Sequence, residues 1–359
     1  MRTETGRQLR IALVAPPWYE VPPPGYGGIE RLCFELVQDL VGRGHEVTLL
    51  AVGRNHTGAH FVQVLEAPLT GLGTVEQPVQ EVRWGALVAR ALDDLVVDVV
   101  HDHSLAAPLA AATRRAPTLV TVHGPTGGPL GDYYRHLGAP LVAISDYQRR
   151  VAPDLPWLAT VHNSVEVSRY PFRAAKEDLA VFVGRMSAEK GVHLIPDAAR
   201  AAGIRAVIAA KCSEPDEWLY FEREVRPRLG PETTWLGEVG EHERNDLLAR
   251  ARCVLLPVQW DEPFGLVTVE AMACGTPVVA LARGSLPEIV EHGRSGFLCH
   301  SPDELPEAIG LAAELDPHEC RRRALDHFDT SVMAAGYELA YAELVAGGLE
   351  LPRQSRRSL

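Results

Sequence analysis

The 359-residue sequence predicts an α/β protein built from two doubly wound, Rossmann-like domains. Three observations carry that prediction. The length suits two ordinary domains rather than one. Short apolar runs without in-and-out alternation, such as 9–16 and 253–257, read as strands covered on both faces. Strand–helix alternation fills 9–162 and starts again at 179, after a polar stretch at 169–178. Ligands of such sheets bind beyond the carboxyl ends of the strands, so the site is expected in a cleft between the halves.

Along the chain, 1–8 reads as a ragged polar end and 9–16 as the first strand. A Pro- and Gly-rich loop at 18–28 leads into an amphipathic helix at 29–41, which Gly42 and Gly44 stop. A second strand follows at 45–52, whereas the glycine-rich 53–76 shows no usable pattern. The first half continues with a helix at 78–95, a strand at 96–101, a helix at 108–115 and strands at 118–123 and 141–144. A helix at 145–151 and a strand at 158–162 close it. The second half places strands at 179–183, 205–210, 233–236, 253–257, 277–281 and 296–299. Helices are expected at 191–202, 216–229 and 242–252, from Pro263 onward, and at 302–315. The last helix, 331–345, sets Tyr337 and Tyr341 at i, i+4 on one face, as packing anchors. The domains are read as 1–168 and 169–327, with a polar tail at 348–359.

Composition narrows the function. A net charge of −12 argues against nonspecific nucleic-acid binding, and any phosphate site has to be a local positive patch. The six cysteines are scattered, with neither Cys-x-x-Cys nor Cys/His ligand spacing, which favours a reducing compartment and no structural zinc. The apolar run 11–15 is too short for a signal peptide, and no stretch of apolar residues is long enough to span a bilayer. A cytoplasmic protein without an integral membrane segment is expected.

The chemistry concentrates in 255–298. Here a buried strand feeds Trp260, Asp261 and Glu262, and Pro263 is expected at the first position of a helix, where its missing N–H costs nothing. The amides of Phe264, Gly265 and Leu266 would then be first-turn donors suited to an anionic or hydroxyl-rich ligand. Glu262 and Glu270 bracket this turn, and carboxylates accept the hydrogen bonds that sugar hydroxyls donate. The plain alternative is two solvated charges at a helix start. The run Glu-Pro-Phe-Gly-Leu-Val-Thr-Val-Glu-Ala-Met-Ala-Cys-Gly-Thr-Pro resembles the signature of the family-4 retaining glycosyltransferases (glycosyl transferases group 1), which have the GT-B fold.

That resemblance extends to Gly184-Arg-Met-Ser-Ala-Glu-Lys-Gly191, which follows a strand and opens a helix. It implies that Arg185 and Lys190 bind the donor diphosphate, and fixed cations there would stabilise the leaving group. It also implies that Glu270 holds the ribose, Glu262 with 264–266 the sugar hydroxyls, and the loop at Gly27 and Gly28 the donor phosphates. His123 is implied to position the donor sugar rather than act as general base. His101, Asp102 and His103 resemble a family strand end, or are packing. Lys211 could approach the phosphates or base, and the loop at Val239 resembles the one that holds the base through its backbone. Ser145 and Asn163 resemble acceptor-side positions, although Ser164 replaces the usual Gly after that Asn. The segment 283–288 resembles a turn and helix start that closes the donor pocket, and within it Ser285 with Glu288 reads as a capping box.

The implied fold is GT-B: two facing domains, with the last helix (328–347) crossing back to the first. The implied activity moves a hexose from a nucleotide-sugar, UDP-glucose before GDP-mannose, to a small-molecule or glycan acceptor, without a bound metal ion or other cofactor. A sugar-nucleotide epimerase of the same fold and a non-catalytic nucleotide-sugar binder are the alternatives.

Overall fold

The computed structural model describes residues 7–25 and 27–347. Expectations for 1–6, Tyr26 and the tail at 348–359 lie outside the described residues. The chain divides into two units: the first runs to Asn163 and takes the chain back from Thr330, and the second is Ser164–Asp329. The sequence had set these borders after 168 and 327.

Unit 1 holds a parallel sheet of β1 (Arg10–Val14), β2 (Glu46–Val52), β3 (His60–Leu65), β4 (Val99–Asp102), β5 (Thr118–Val122), β6 (Leu141–Ala143) and β7 (Trp157–Thr160). Its order is β3-β2-β1-β4-β5-β6-β7. β4 and β5 are buried throughout, as strands covered on both faces must be. One face packs on the helix Gly28–Gly42 through Leu32, Leu36 and Leu40, and on the final helix Thr330–Val345 through Met333, Tyr337 and Tyr341. The other face packs on the helix Gln77–Asp93 through Trp84 and Val88. The final helix is also pinned by polar contacts. Leu9 N donates to His45 Nδ1 at 3.1 Å, so His45 Nε2 carries the hydrogen that meets Glu338 Oε1 at 2.8 Å. Arg43 reaches Glu338 Oε2 at 2.9 Å.

Unit 2 holds β8 (Glu177–Arg185), β9 (Arg205–Lys211), β10 (Thr233–Trp235), β11 (Ala251–Leu256), β12 (Val278–Leu281) and β13 (Gly296–Cys299), parallel, in the order β10-β9-β8-β11-β12-β13. In each sheet the first strand of the unit lies inside, with later strands leading away on both sides. That makes the carboxyl ends of β1 and β8 switch points, where open α/β sheets form their crevices.

Several local expectations change. The patternless 53–76 contains β3, and Gly128–His136 forms a helix the sequence left unassigned. The helix expected at 108–115 is a 3-10 helix, Ala107–Thr113. The one expected at 216–229 is an α-helix only over Pro215–Tyr220. It widens to a π turn at Phe221–Val225 and tightens to a 3-10 turn at Arg226–Arg228, where Pro227 lacks the N–H an α-helix would use. All six cysteines are free thiols. No helix among the described residues is long and apolar enough to cross a membrane.

Candidate functional site

In unit 2 two distant segments meet because β8 and β11 are neighbours. After Arg185 the chain turns through a 3-10 step, Ala188–Lys190, into Gly191 at φ +67°. A Cβ at Gly191 would lie 1.9 Å from the carbonyl oxygen of Pro257, so only glycine lets this turn sit against the end of β11. Gln259 N donates to the Glu189 carbonyl at 2.7 Å and fixes the approach. Lys190 Nζ is thereby delivered 2.5 Å from Glu262 Oε2, an ion pair and a hydrogen bond at once. Trp260 Nε1 donates to the same oxygen at 3.1 Å, and Lys190 Nζ stands 5.0 Å from the centroid of the Trp260 ring. Glu262 is buried, and Arg185 pairs with Glu189.

The turn after Glu262 corrects two expectations. Its helix is Leu266–Ala273, not one that begins at Pro263. Gly265 precedes it at φ +80°, a left-handed conformation that cannot belong to a right-handed helix. The amides of Phe264 and Gly265 therefore belong to the turn before the helix, and Leu266 opens it. The second correction concerns Ser285, which is not a side-chain cap. It has helical φ and ψ, and its hydroxyl donates to the Phe264 carbonyl at 3.0 Å while its amide donates to the Glu262 carbonyl at 2.9 Å. Ser285 holds the Glu262 turn in place instead of closing its own helix.

Glu270 lies one turn into Leu266–Ala273. Tyr170 donates to its Oε1 at 3.1 Å, and Arg244 Nη2 is 3.3 Å from the same oxygen. Glu270 is the main reason the Arg244 pKa rises above its ordinary value. Lys211, at the end of β9, is 3.9 Å from both Glu214 and Glu217, and its carbonyl accepts from Met186 N at 2.8 Å. Val239 lies half-buried in the loop before the helix Glu241–Arg250.

The predicted residues of unit 1 form a separate set. Gly27, at φ +144°, is the N-cap of the helix that Gly28 opens. His123 follows β5 and meets His103 Nδ1 through its Nε2 at 2.9 Å, with the two rings stacked. His103 lies 4.0 Å, centroid to centroid, from His101. His101 in turn contacts the Tyr341 hydroxyl at 2.7 Å and Thr121 Oγ1 at 2.8 Å, and Thr121 contacts the Tyr337 hydroxyl at 2.9 Å. Burial lowers all three imidazole pKa values, to about 3 for His101, to about 4 for His123, and well below 6.5 for His103. At neutral pH His123 is therefore an uncharged hydrogen-bonding group. Asp102 faces Ser104 and Arg114 instead. Ser145 is fully buried and caps the helix Asp146–Val151 by accepting from Gln148 N. Asn163 is buried with Oδ1 lacking a partner among the described residues.

Three residues not predicted for the site, Trp260, Tyr170 and Arg244, now stand beside it. Trp260 was legible as an indole donor two residues from Glu262. Tyr170 and Arg244 come from other elements, and nothing in their local sequence points to Glu270, whereas Ser285 lies in the segment 283–288 expected to close the donor pocket.

Residues 167–324 match the family described as glycosyl transferases group 1, and residues 26–166 match glycosyltransferase family 4. The crystal structure of AviGT4, a glycosyltransferase involved in avilamycin A biosynthesis, is 30% identical with a TM-score of 0.73, and the match covers 94% of this chain and 98% of that one. Glycogen synthase of Mycobacterium tuberculosis is 27% identical over 88% of each chain. Phosphatidyl-myo-inositol mannosyltransferase of the same organism is 26% identical over 94% of this chain and 98% of its own.

Proposed function

The chain belongs to the family-4 glycosyltransferases, with the GT-B fold, and from that premise we propose that it retains anomeric configuration while moving a hexose from a nucleotide-sugar to an acceptor hydroxyl. UDP-glucose is the donor proposed first and GDP-mannose second; the acceptor is a small molecule or glycan, and no metal ion is required. The observation that carries the donor reading is the 2.5 Å pair between Lys190 and Glu262, which joins the two motif segments of unit 2.

The pairing suggests how the site works. A buried carboxylate and a cation hold each other where neither could stand alone, since an unpaired buried charge is strongly destabilising. A diphosphate would draw Lys190 and Arg185 from Glu262 and Glu189. The released Glu262 carboxylate would then accept from sugar hydroxyls. Glu270, held by Tyr170 and Arg244, keeps a fixed orientation toward a ribose. Lys211 and the loop at Val239 would serve the phosphate or base side. In the reaction, the bond from the anomeric carbon to phosphate breaks as the bond to the acceptor oxygen forms on the same face. The acceptor proton passes to the departing phosphate oxygen, whose charge Arg185 and Lys190 stabilise.

The test is calorimetric titration with UDP, GDP, ADP and their sugar conjugates in the presence of EDTA. One diphosphate binds, and Arg185→Ala weakens it by about tenfold to a hundredfold, the scale of a lost charge-assisted hydrogen bond. Failure of every nucleotide to bind overturns the reading.

A further inference from the structure

Glu262 carries both of its side-chain donors on one oxygen. Lys190 Nζ lies 2.5 Å from Oε2 and Trp260 Nε1 donates to that same atom at 3.1 Å, while Oε1 makes no hydrogen bond among the described residues. The proposed function uses Lys190 for a diphosphate and leaves the indole without a task. Trp260 is half-buried in the turn that follows β11, so its N–H reaches Glu262 from the same turn and independently of the segment 184–191.

The two ends of the ion pair differ in freedom. Lys190 ends a flexible stem and its side chain is 20% exposed, against 11% for Glu262. Glu262 is fixed through its own backbone. Its carbonyl accepts from Ser285 N at 2.9 Å, and a Cβ at Gly284 would lie 2.4 Å from its amide nitrogen and 2.3 Å from its carbonyl oxygen. Its Cγ is 3.2 Å from where a Cβ on Gly265 would stand. An arriving anion therefore moves the lysine and not the carboxylate. A buried carboxylate stripped of every donor is strongly destabilising. Trp260 prevents that state, because its N–H stays on Oε2 when the ammonium leaves. Indole is a donor only and carries no charge, so the anion draws the ammonium first.

We propose that Trp260 is a positioning residue for donor binding: its indole N–H holds the Glu262 carboxylate when a diphosphate takes Lys190, and so makes the lysine available to the phosphates. With Oε2 held by the indole, Oε1 is the oxygen left for a hexose hydroxyl. The proposal rests on the donor reading of unit 2, and it adds the group that lets the Lys190–Glu262 pair open.

The experiment titrates the full chain by calorimetry with pyrophosphate, UDP, GDP, UDP-glucose and GDP-mannose, for wild type, Trp260→Phe, Glu262→Gln and the double variant. Phenylalanine keeps an aromatic face beside Lys190 and removes the N–H alone. Trp260→Phe weakens pyrophosphate and whichever nucleoside diphosphate binds by about tenfold, the scale of leaving a buried charged acceptor unmatched. The matching sugar conjugate loses less, about threefold, because its hexose brings hydroxyls to the carboxylate. In the Glu262→Gln background the same substitution changes diphosphate affinity by less than about twofold, since no buried charge is left to satisfy. Pyrophosphate also draws the ammonium away from its place 5.0 Å from the Trp260 ring centroid, so it changes the tryptophan emission of wild type. Thermal unfolding confirms that the variants fold. Unchanged affinity in Trp260→Phe overturns the proposal, as does equal loss for diphosphate and sugar conjugate, a loss that persists in Glu262→Gln, or unchanged wild-type emission. A chain that binds pyrophosphate with this pattern but no nucleotide refutes the proposed function and leaves the role of Trp260 standing. A wild type that binds neither overturns both.

Discussion

The polar residues of the two units are held in opposite ways. In unit 1, His101 and His103 are buried and His123 half-buried, ring beside ring, and desolvation keeps them neutral. In unit 2, Arg185, Lys190 and Arg244 each rest on a carboxylate, Glu189, Glu262 and Glu270. Desolvated neutral groups fix shape and tautomer, and they respond to protons. Paired charges can exchange partners, so they respond to a charged ligand. The contrast separates a unit whose polar groups answer to protons from one whose polar groups answer to charge.

The comparison can be broken from its strongest side first. Lys190→Ala removes a cation from the proposed diphosphate site and strands Glu262. Its kcat/KM should fall by about 10²–10³, the scale of losing one preorganised electrostatic contact. A variant with unchanged kcat/KM would reduce the pair to a structural ornament. Gly191→Ala tests whether the turn creates the pair. The strain at positive φ alone is about 1–3 kcal/mol, and the Cβ would also meet the Pro257 oxygen. Thermal unfolding and nucleotide affinity should therefore drop together.

Unit 1 should show its character in pH. The folded-state pKa values of these histidines lie below their unfolded value, so the folded protein binds fewer protons. Their contribution is present above about pH 6.5 and is lost as pH falls toward about 4, roughly 2 kcal/mol per group between pH 7 and 5. Glu30, whose pKa is raised by burial to about 7, acts in the opposite direction over about pH 4.5–7. The useful measurement is thus a difference. Wild type should lose more stability than His123→Gln across this range, and parallel pH curves would show that the stack does not titrate as described. The smallest effect is expected from Ser285→Ala, which removes one hydrogen bond to Phe264 and should cost about 1 kcal/mol. A larger loss of activity than of stability would show that the Glu262 turn had moved.

Legibility differed between the units for the same reasons. The segments 184–191 and 257–270 read well because strand, turn and helix start follow one another in the chain, and contiguous residues carry the chemistry. β3 hid in a glycine-rich stretch, since pairing with β2 rather than its own composition makes His60–Leu65 a strand. The helix Gly128–His136 begins with Gly and Pro, which do not mark a helix start in the sequence, so it went unassigned. Pro263 satisfied a helix-start rule, but the left-handed Gly265 set the start at Leu266. Ser285 matched a capping pattern locally while its hydroxyl had a nearer acceptor on another segment.

By itself the sequence determined two parallel α/β units and the family, because periodicity, apolar runs and turn residues act over short spans. It also named Arg185, Lys190, Glu262 and Glu270. Tertiary structure alone decided that Lys190 pairs with Glu262, that Arg244 and Tyr170 hold Glu270, and that three histidines lose their charge. Each depends on distance and burial between residues far apart in the chain, and neither quantity exists until the sheets have formed.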